Sequence, residues 1–205
     1  MLEMKIKCFT VGLFQTNMYI LSNAHNEAWL IDPACQTPTE KQVVLRYIEQ
    51  EGLTVRALIA THGHLDHLWG AAWACEQFQL PILMDEADIP MAKAMQAQYD
   101  MFGMRTKAID FPIQALNEES LAIPSMTIIR TPGHTQGSVC LYDAQQGMLL
   151  SGDTLFNCGY GRTDLPGGNT AQLFASLESL WALPPTTQVF PGHGEYTTIG
   201  AERGY

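Results

Sequence analysis

Three histidines and one aspartate crowd into the segment T-H-G-H-L-D-H at residues 61–67. Imidazole nitrogens and carboxylate oxygens are the donors that Zn²⁺ and similar ions prefer in proteins. In extended backbone, side chains two positions apart point to one side, so His62 and His64 could share one ion. Asp66 and His67 enter a predicted helix, where their changed direction could serve a second ion. The alternative is a solvated loop, in which these imidazoles would repel one another when protonated.

Three further segments carry a possible donor directly after a predicted strand. They are T-P-G-H-T at 131–135 with His134, S-G-D-T-L-F at 151–156 with Asp153, and P-G-H-G at 191–194 with His193. Taken singly, each could equally be a turn histidine or a helix-capping aspartate. Together they put five of the six histidines in glycine-bearing loops at strand ends. The exception, His25, is predicted to be a solvated turn residue.

The series H-x-H-x-D-H, G-H-T, G-D-T-L-F and P-G-H-G resembles the metallo-β-lactamase superfamily over nearly the whole chain. Within it, the chain is similar to the glyoxalase II-like branch in a short form. The resemblance implies an α/β fold, a four-layer αββα sandwich. It also implies two divalent metal ions, zinc foremost, with iron or manganese as alternatives. The implied ligands are His62, His64 and His134 for one ion, Asp66, His67 and His193 for the other, and Asp153 bridging both.

Two other segments have a counterpart in this family. Asp32, in W-L-I-D-P, stands where the family has an aspartate behind the metal ligands, and it could orient a ligand histidine. A turn-starting aspartate is the alternative. The glycine-rich run at 158–168 resembles a loop near the metals, in which we expect Arg162 to pair with Asp164 and Tyr160 to face substrate. A purely structural connection is the alternative for this loop.

The resemblance implies a metal-dependent hydrolase of a small-molecule thioester such as an S-acylglutathione. A hydroxide held by the two ions would attack the carbonyl carbon, with Asp66 as a ligand and proton acceptor. One alternative is a persulfide dioxygenase, which resembles the chain at G-R-T-D and would use a single iron. L-P-G-G after that motif favours the hydrolase. Another ester or lactam hydrolase of the same fold is a further alternative. The sequence has neither a G-x-S-x-G elbow nor a glycine-rich phosphate loop, so a serine hydrolase and a nucleotide-dependent enzyme lack support.

The elements that must position these residues are a mixture of strands and helices. Periodicity predicts strands at 6–11, 18–22, 28–31, 55–60, 81–84, 126–130, 139–142, 148–151 and 187–190. It predicts helices at 39–51, 67–78 and 170–182, the last with one apolar face made of Leu173, Phe174, Leu177, Leu180 and Trp181. Residues 85–120 look less regular. Their methionines, Met91, Met95, Met101 and Met104, could fill the core or form a pliable substrate wall.

Composition limits the remaining possibilities. A chain of 205 residues suits one domain over residues 1–205, and its net charge of −10 argues against nucleic acid as a partner. Five scattered cysteines give no disulfide framework, which favours reduced thiols. No apolar run is long enough for a membrane span or a signal peptide, so we expect a cytoplasmic protein without a membrane partner. The oligomeric state stays open.

Overall fold

The computed structural model describes residues 4–123 and 125–203, and two β-sheets form its centre. The first sheet has six strands that lie side by side in chain order. They are β1 (Lys5–Val11), β2 (Thr16–Ser22), β3 (Glu27–Ile31), β4 (Thr54–Ile59), β5 (Ile82–Met84) and β6 (Ile113–Ala115). Strands β1 to β3 pair antiparallel, whereas β3 to β6 pair parallel.

The second sheet has five strands, which are β7 (Met126–Arg130), β8 (Val139–Asp143), β9 (Met148–Gly152), β12 (Gln188–Pro191) and β13 (Thr197–Thr198). Their order across the sheet is β13, β12, β9, β8 and β7. Strand β12 pairs parallel with β9, and the other neighbours are antiparallel. A separate short hairpin consists of β10 (Leu155–Phe156) and β11 (Gly159–Tyr160).

Helices connect and cover the sheets. They are α1 (Pro38–Gln50), α2 (Leu65–Leu68), α3 (Ala71–Phe78), α4 (Ile89–Lys93), α5 (Met95–Met101), α6 (Glu118–Leu121), α7 (Thr170–Trp181) and α8 (Ile199–Glu202), with a 3₁₀ turn at Glu86–Asp88. Side-chain caps fix where the longest helices begin. Thr37 and Glu40 form a capping box at α1, and Asn169 accepts a hydrogen bond from the Gln172 amide at α7.

Three hydrophobic clusters form the core, and they fill the spaces between four layers: helices, first sheet, second sheet and helices. Along β2, Met18 and Ile20 pack beneath α1 and α3. Tyr19 and Leu21 point the other way and pack against the second sheet, because successive strand residues face opposite sides. Helix α7 covers the far face of the second sheet through a third cluster that contains Leu177. The predicted αββα sandwich is confirmed, and both sheets are covered on both faces.

Two predictions about elements are wrong, and both have a tertiary cause. The single helix expected at 67–78 is split into α2 and α3 around Gly70. The Gly70 amide donates to the Pro33 carbonyl at 2.8 Å, and a Cβ at this position would come within 2.7–2.9 Å of Pro33 and Cys35 backbone atoms. Phe174 does not join the apolar face of α7; its side chain is 37% exposed and packs edge-on against Tyr160.

The segment at 85–120 is more regular than expected, since it contains α4, α5, α6 and strand β6. Its methionines lie in two kinds of environment, and Met104 packs partly buried against the core. Met95 is buried in the core, whereas Met91 and Met101 line a recess described below. The single domain stays a prediction, and residues 1–3, 124 and 204–205 lie outside the described part of the chain.

Candidate metal centre

Every donor segment follows the carboxyl end of a strand, and these ends meet at one edge of the sandwich. Strand β4 leads into residues 61–67, β7 into His134, β9 into Asp153 and β12 into His193. Backbone hydrogen bonds join the two sheets there: the Val139 amide donates to the Thr61 carbonyl at 2.9 Å, and the Asn17 amide donates to the Gly192 carbonyl at 2.7 Å. Strands β9 and β12 run parallel, so their ends meet, and the hydrogen bond from Val139 to Thr61 brings the second sheet to the end of β4.

The seven predicted donors come together in three overlapping groups. Within each group the ligand atoms lie within 4.8 Å of one another. The groups are His62, His64 and His134; His62, His67 and Asp153; and Asp66, His67 and His193. The assignment of these residues to two ions stays a prediction, but the structure brings all seven to one cluster.

Asp153 lies between the histidines of the first and third groups. Its carboxylate oxygens are 3.2 Å from His67 Nε2 and 3.5 Å from both His134 Nε2 and His193 Nε2. Asp66 also contacts His193, with its Oδ2 3.1 Å from the Nε2 of that ring. A carboxylate at the position of Asp153 can offset positive charge on both sides.

Hydrogen bonds behind the cluster fix which ring nitrogen faces inward. His134 Nδ1 donates to the Arg162 carbonyl at 2.7 Å, and His193 Nδ1 donates to the Phe14 carbonyl at 3.1 Å. In both rings Nε2 is therefore left with its lone pair toward the centre. His64 is the exception, because its Nδ1 faces the centre and lies 2.8 Å from His134 Nε2.

Asp32 fixes two more donors. Its Oδ2 accepts from His67 Nδ1 at 2.9 Å and from the Thr61 hydroxyl at 2.8 Å, while Oδ1 accepts from the Thr61 amide at 2.7 Å. The Thr61 oxygen in turn lies 3.0 Å from His62 Nδ1. Asp32 therefore orients His67 directly and His62 through Thr61, which favours the first of the two interpretations given for it.

Burial and neighbouring charge shift the pKa values of the cluster in opposite directions. Burial lowers the pKa of His62 well below its usual value and that of His64 to about 4, so both rings are neutral at pH 7. Burial would also lower the pKa of His67, but the carboxylates of Asp153, Asp66 and Asp32 outweigh it and raise that pKa. Conversely, burial would raise the pKa of Asp66, but His67 and His193 lower it. Burial would likewise raise the pKa of Asp153, but the neighbouring histidines, His67 first, lower it, so Asp66 and Asp153 are ionised donors.

The donor set fits divalent cations. In His67 and His193 the Nδ1 atom forms a hydrogen bond behind the cluster, and the two Nε2 atoms lie 3.3 Å apart. The lone pairs of these Nε2 atoms would face each other unless a cation or a proton lies between them. His62 Nε2 is buried without a hydrogen-bond partner among the described residues. Glycine keeps the space clear, since a Cβ on Gly192 would collide with Asp153 Oδ1.

A cavity of about 370 Å³ opens above the cluster. His64, Asp66, His134, Asp153 and His193 line it, together with the predicted substrate residues Tyr160 and Arg162. The Arg162 guanidinium forms the expected pair with Asp164, at 2.6 and 2.7 Å, and both side chains are exposed. This pair lowers the pKa of Asp164 to about 2. The Arg162 backbone carbonyl, not its charge, contacts a donor histidine.

Asp88 is a site residue that sequence reasoning missed. It is buried, and its carboxylate accepts from the Gly63 amide at 2.8 Å, the Gly137 amide at 2.7 Å and the Thr135 hydroxyl at 2.6 Å. It thus ties the loop of His62 and His64 to the loop of His134. No local signal identifies it, because its partners in the second loop lie 47 and 49 residues away.

The sixth histidine and the prediction of no membrane span are considered apart from the cluster. His25 is exposed in the turn between β2 and β3, as predicted. Within residues 4–123 and 125–203, no helix has both the length and the apolar character needed to cross a membrane. The cytoplasmic location stays a prediction.

Comparisons with known proteins identify the family of the chain. The chain matches the family model of the metallo-beta-lactamase superfamily over residues 11–193. It is 31% identical over 206 residues to hydroxyacylglutathione hydrolase GloC of Haemophilus influenzae, covering 98% of this chain and 95% of that protein. The crystal structure of the BLEG-1 B3 metallo-beta-lactamase matches with a TM-score of 0.86 and 31% identity, covering 98% of this chain and 97% of that one. TTHA1623, solved in a di-iron-bound form, matches with a TM-score of 0.84 and 34% identity, covering 96% of each chain.

Proposed function

Because the chain belongs to the metallo-beta-lactamase superfamily, whose members are mostly metal-dependent hydrolases, we propose that it hydrolyses a small-molecule thioester such as an S-acylglutathione. The observation that carries this proposal is the convergence of seven donors around Asp153 at the floor of an open cavity. The 31% identity to a hydroxyacylglutathione hydrolase along nearly the full length of both proteins supports the substrate class.

The donor groups on either side of Asp153 would hold two ions, with zinc as the first candidate. Iron is a second candidate, because TTHA1623 has been solved in a di-iron-bound form. Such ions, when bound, lower the pKa of water toward neutrality and polarise a carbonyl group. In the overall reaction, water adds to the thioester carbonyl carbon, the C–S bond breaks and the sulfur takes a proton, which yields a carboxylic acid and a thiol.

The chain's own residues have separable tasks in this proposal. Asp66 is held ionised by His67 and His193, so its carboxylate is available as a donor. Its second proposed task is to accept the proton from the attacking water. Asp32 keeps His67 in one tautomer and orientation. Tyr160 and Arg162, on the cavity wall, are proposed to contact the thiol portion of the substrate.

The test combines metal analysis with parallel assays. Protein reconstituted with zinc, iron or manganese is analysed by mass spectrometry, and each form is assayed for S-acylglutathione hydrolysis and for oxygen uptake with glutathione persulfide. We expect two ions per chain and metal-dependent thioester hydrolysis. Asp66→Asn should lower kcat, whereas the matched surface variant Asp100→Asn should not.

Two outcomes would replace the proposal. Robust oxygen uptake by a form with one iron would indicate the persulfide dioxygenase. Efficient hydrolysis of a β-lactam with negligible thioester hydrolysis would indicate a lactamase, an alternative that the similarity to BLEG-1 makes worth assaying.

A further inference from the structure

A small recess opens beside His64 and continues the main cavity. Both spaces are lined by His64, Gln98, Phe102 and Leu165. The recess adds Met91, Met101 and Pro166, which belong to α4, α5 and the loop before α7. A substrate whose reacting carbon lies at the donor cluster therefore has a side pocket within reach, on the His64 side.

The walls of this recess are almost entirely apolar. Gln98 is one of its two polar residues, and its amide is already engaged. Its Oε1 accepts from the Leu65 amide at 2.9 Å, and its Nε2 donates to the Gly63 carbonyl at 2.9 Å and to the Met91 carbonyl at 3.2 Å. His64 is the other polar residue; its Nδ1 faces His134 at 2.8 Å, and its Nε2 has no hydrogen-bond partner among the described residues. A hydroxyl group that entered the recess would lose its hydration, and His64 Nε2 is the one unengaged side-chain nitrogen that the lining residues offer in return.

The volume limits what can enter. The recess measures about 40 Å³, and a water-sized group needs about 10–15 Å³ on this measure, so roughly three carbon-sized groups fit. Met101 is 56% exposed, and methionine side chains adjust easily, so a slightly longer chain is tolerated. Phe102 at 44% and Tyr160 at 42% exposure add apolar surface near the cavity.

We propose that this recess binds the carbon chain of a short, apolar, unsubstituted acyl group, and so sets the acyl specificity of the enzyme. This inference rests on the proposed thioester hydrolysis. Met91, Met101 and Leu165 are the specificity-determining residues. An isobutyryl or butyryl group fills the recess, whereas a lactoyl group of the same size brings a hydroxyl that loses its hydration there and can regain at most a contact with His64 Nε2.

The experiment compares isobutyryl and lactoyl thioesters of the same thiol, glutathione, which differ by a methyl against a hydroxyl. The measured kcat/KM of each ester is divided by the rate constant of its hydrolysis by free hydroxide, because the lactoyl hydroxyl alters the intrinsic reactivity of the thioester. We expect the isobutyryl ester to be preferred about 10–100-fold. Met101→Gln, which keeps the side-chain length but adds an amide, should reduce that ratio several-fold. Val43→Gln makes the same kind of change on exposed α1 and should leave the ratio unchanged.

A binding measurement provides a second readout that does not depend on turnover. Calorimetry on the full chain should show S-isobutylglutathione binding more tightly than S-(2-hydroxypropyl)glutathione, with the difference reduced in Met101→Gln. A corrected isobutyryl-to-lactoyl ratio near one, or a ratio unaffected by Met101→Gln, would overturn the proposed role of the recess. The proposed thioester hydrolysis would still stand. Hydrolysis of neither ester by the metal-loaded protein would instead overturn the proposed function and this inference with it.

Discussion

Replacing Asp88 with asparagine tests whether a carboxylate behind the donor cluster determines its geometry. Asp88 Oδ2 accepts from the Gly63 amide and the Thr135 hydroxyl, and Oδ1 accepts from the Gly137 amide. An asparagine side chain has only one oxygen. In either orientation its NH₂ group faces a backbone N–H, so Gly63 or Gly137 loses its acceptor in a buried place.

The expected cost follows from that lost acceptor. A buried donor left without a partner costs about 1–3 kcal/mol. For a domain of this size, each 1 kcal/mol lowers Tm by roughly 2–4 °C, so a loss near 2 kcal/mol lowers Tm by about 4–8 °C. Gly63 separates His62 from His64, and Thr135 follows His134, so the first donor group should also be displaced. We expect its metal affinity to fall about 10–100-fold.

Calorimetric melting of the ion-stripped protein measures the stability change, and zinc titration against a competing chelator measures the affinity. Asp85→Asn is the matched control. Asp85 caps the 3₁₀ turn through the Ala87 amide, which asparagine can also do, and it pairs with the exposed Arg130. That pair is worth about 0–1 kcal/mol, so the control should melt near the wild type. Wild-type Tm and zinc affinity in Asp88→Asn would refute this reasoning.

Four further predictions concern other residues. Asp153→Ala should remove most bound metal and all hydrolysis while circular dichroism stays native; full metal content would contradict it. Asp32→Ala removes the acceptor of His67 Nδ1 and should weaken zinc binding about 10–100-fold in chelator competition, and unchanged affinity would show that the contact is dispensable. His25→Ala should alter neither metal content nor rate. Burial raises the pKa of the Cys35 thiol to about 12 and of the Cys75 and Cys140 thiols to about 11, so these thiols stay protonated near pH 8. They should react with Ellman's reagent only after unfolding, whereas exposed Cys158 should react in the folded protein.

The sequence was sufficient to name the donor residues and most elements, because both depend on local patterns. Residue types within 61–67 specify nitrogen and oxygen donors whatever the rest of the chain does. The strand at 126–130 has the predicted bounds, and the other predicted strands are displaced by one or two residues. Short strands flanked by glycine and polar residues have a period that can be read directly along the chain.

Only the tertiary structure decided how those residues are supported and what surrounds them. Gly70 interrupts a helical pattern because it contacts Pro33 and Cys35, and Asp88 joins two loops that are far apart in sequence. The apolar recess combines residues 91, 98 and 101 with 165 and 166. Such contacts bring together side chains whose separation along the chain follows no period. A local pattern therefore predicts which residues can bind a metal, whereas the packing of the two sheets determines their second contacts and the shape of the cavity.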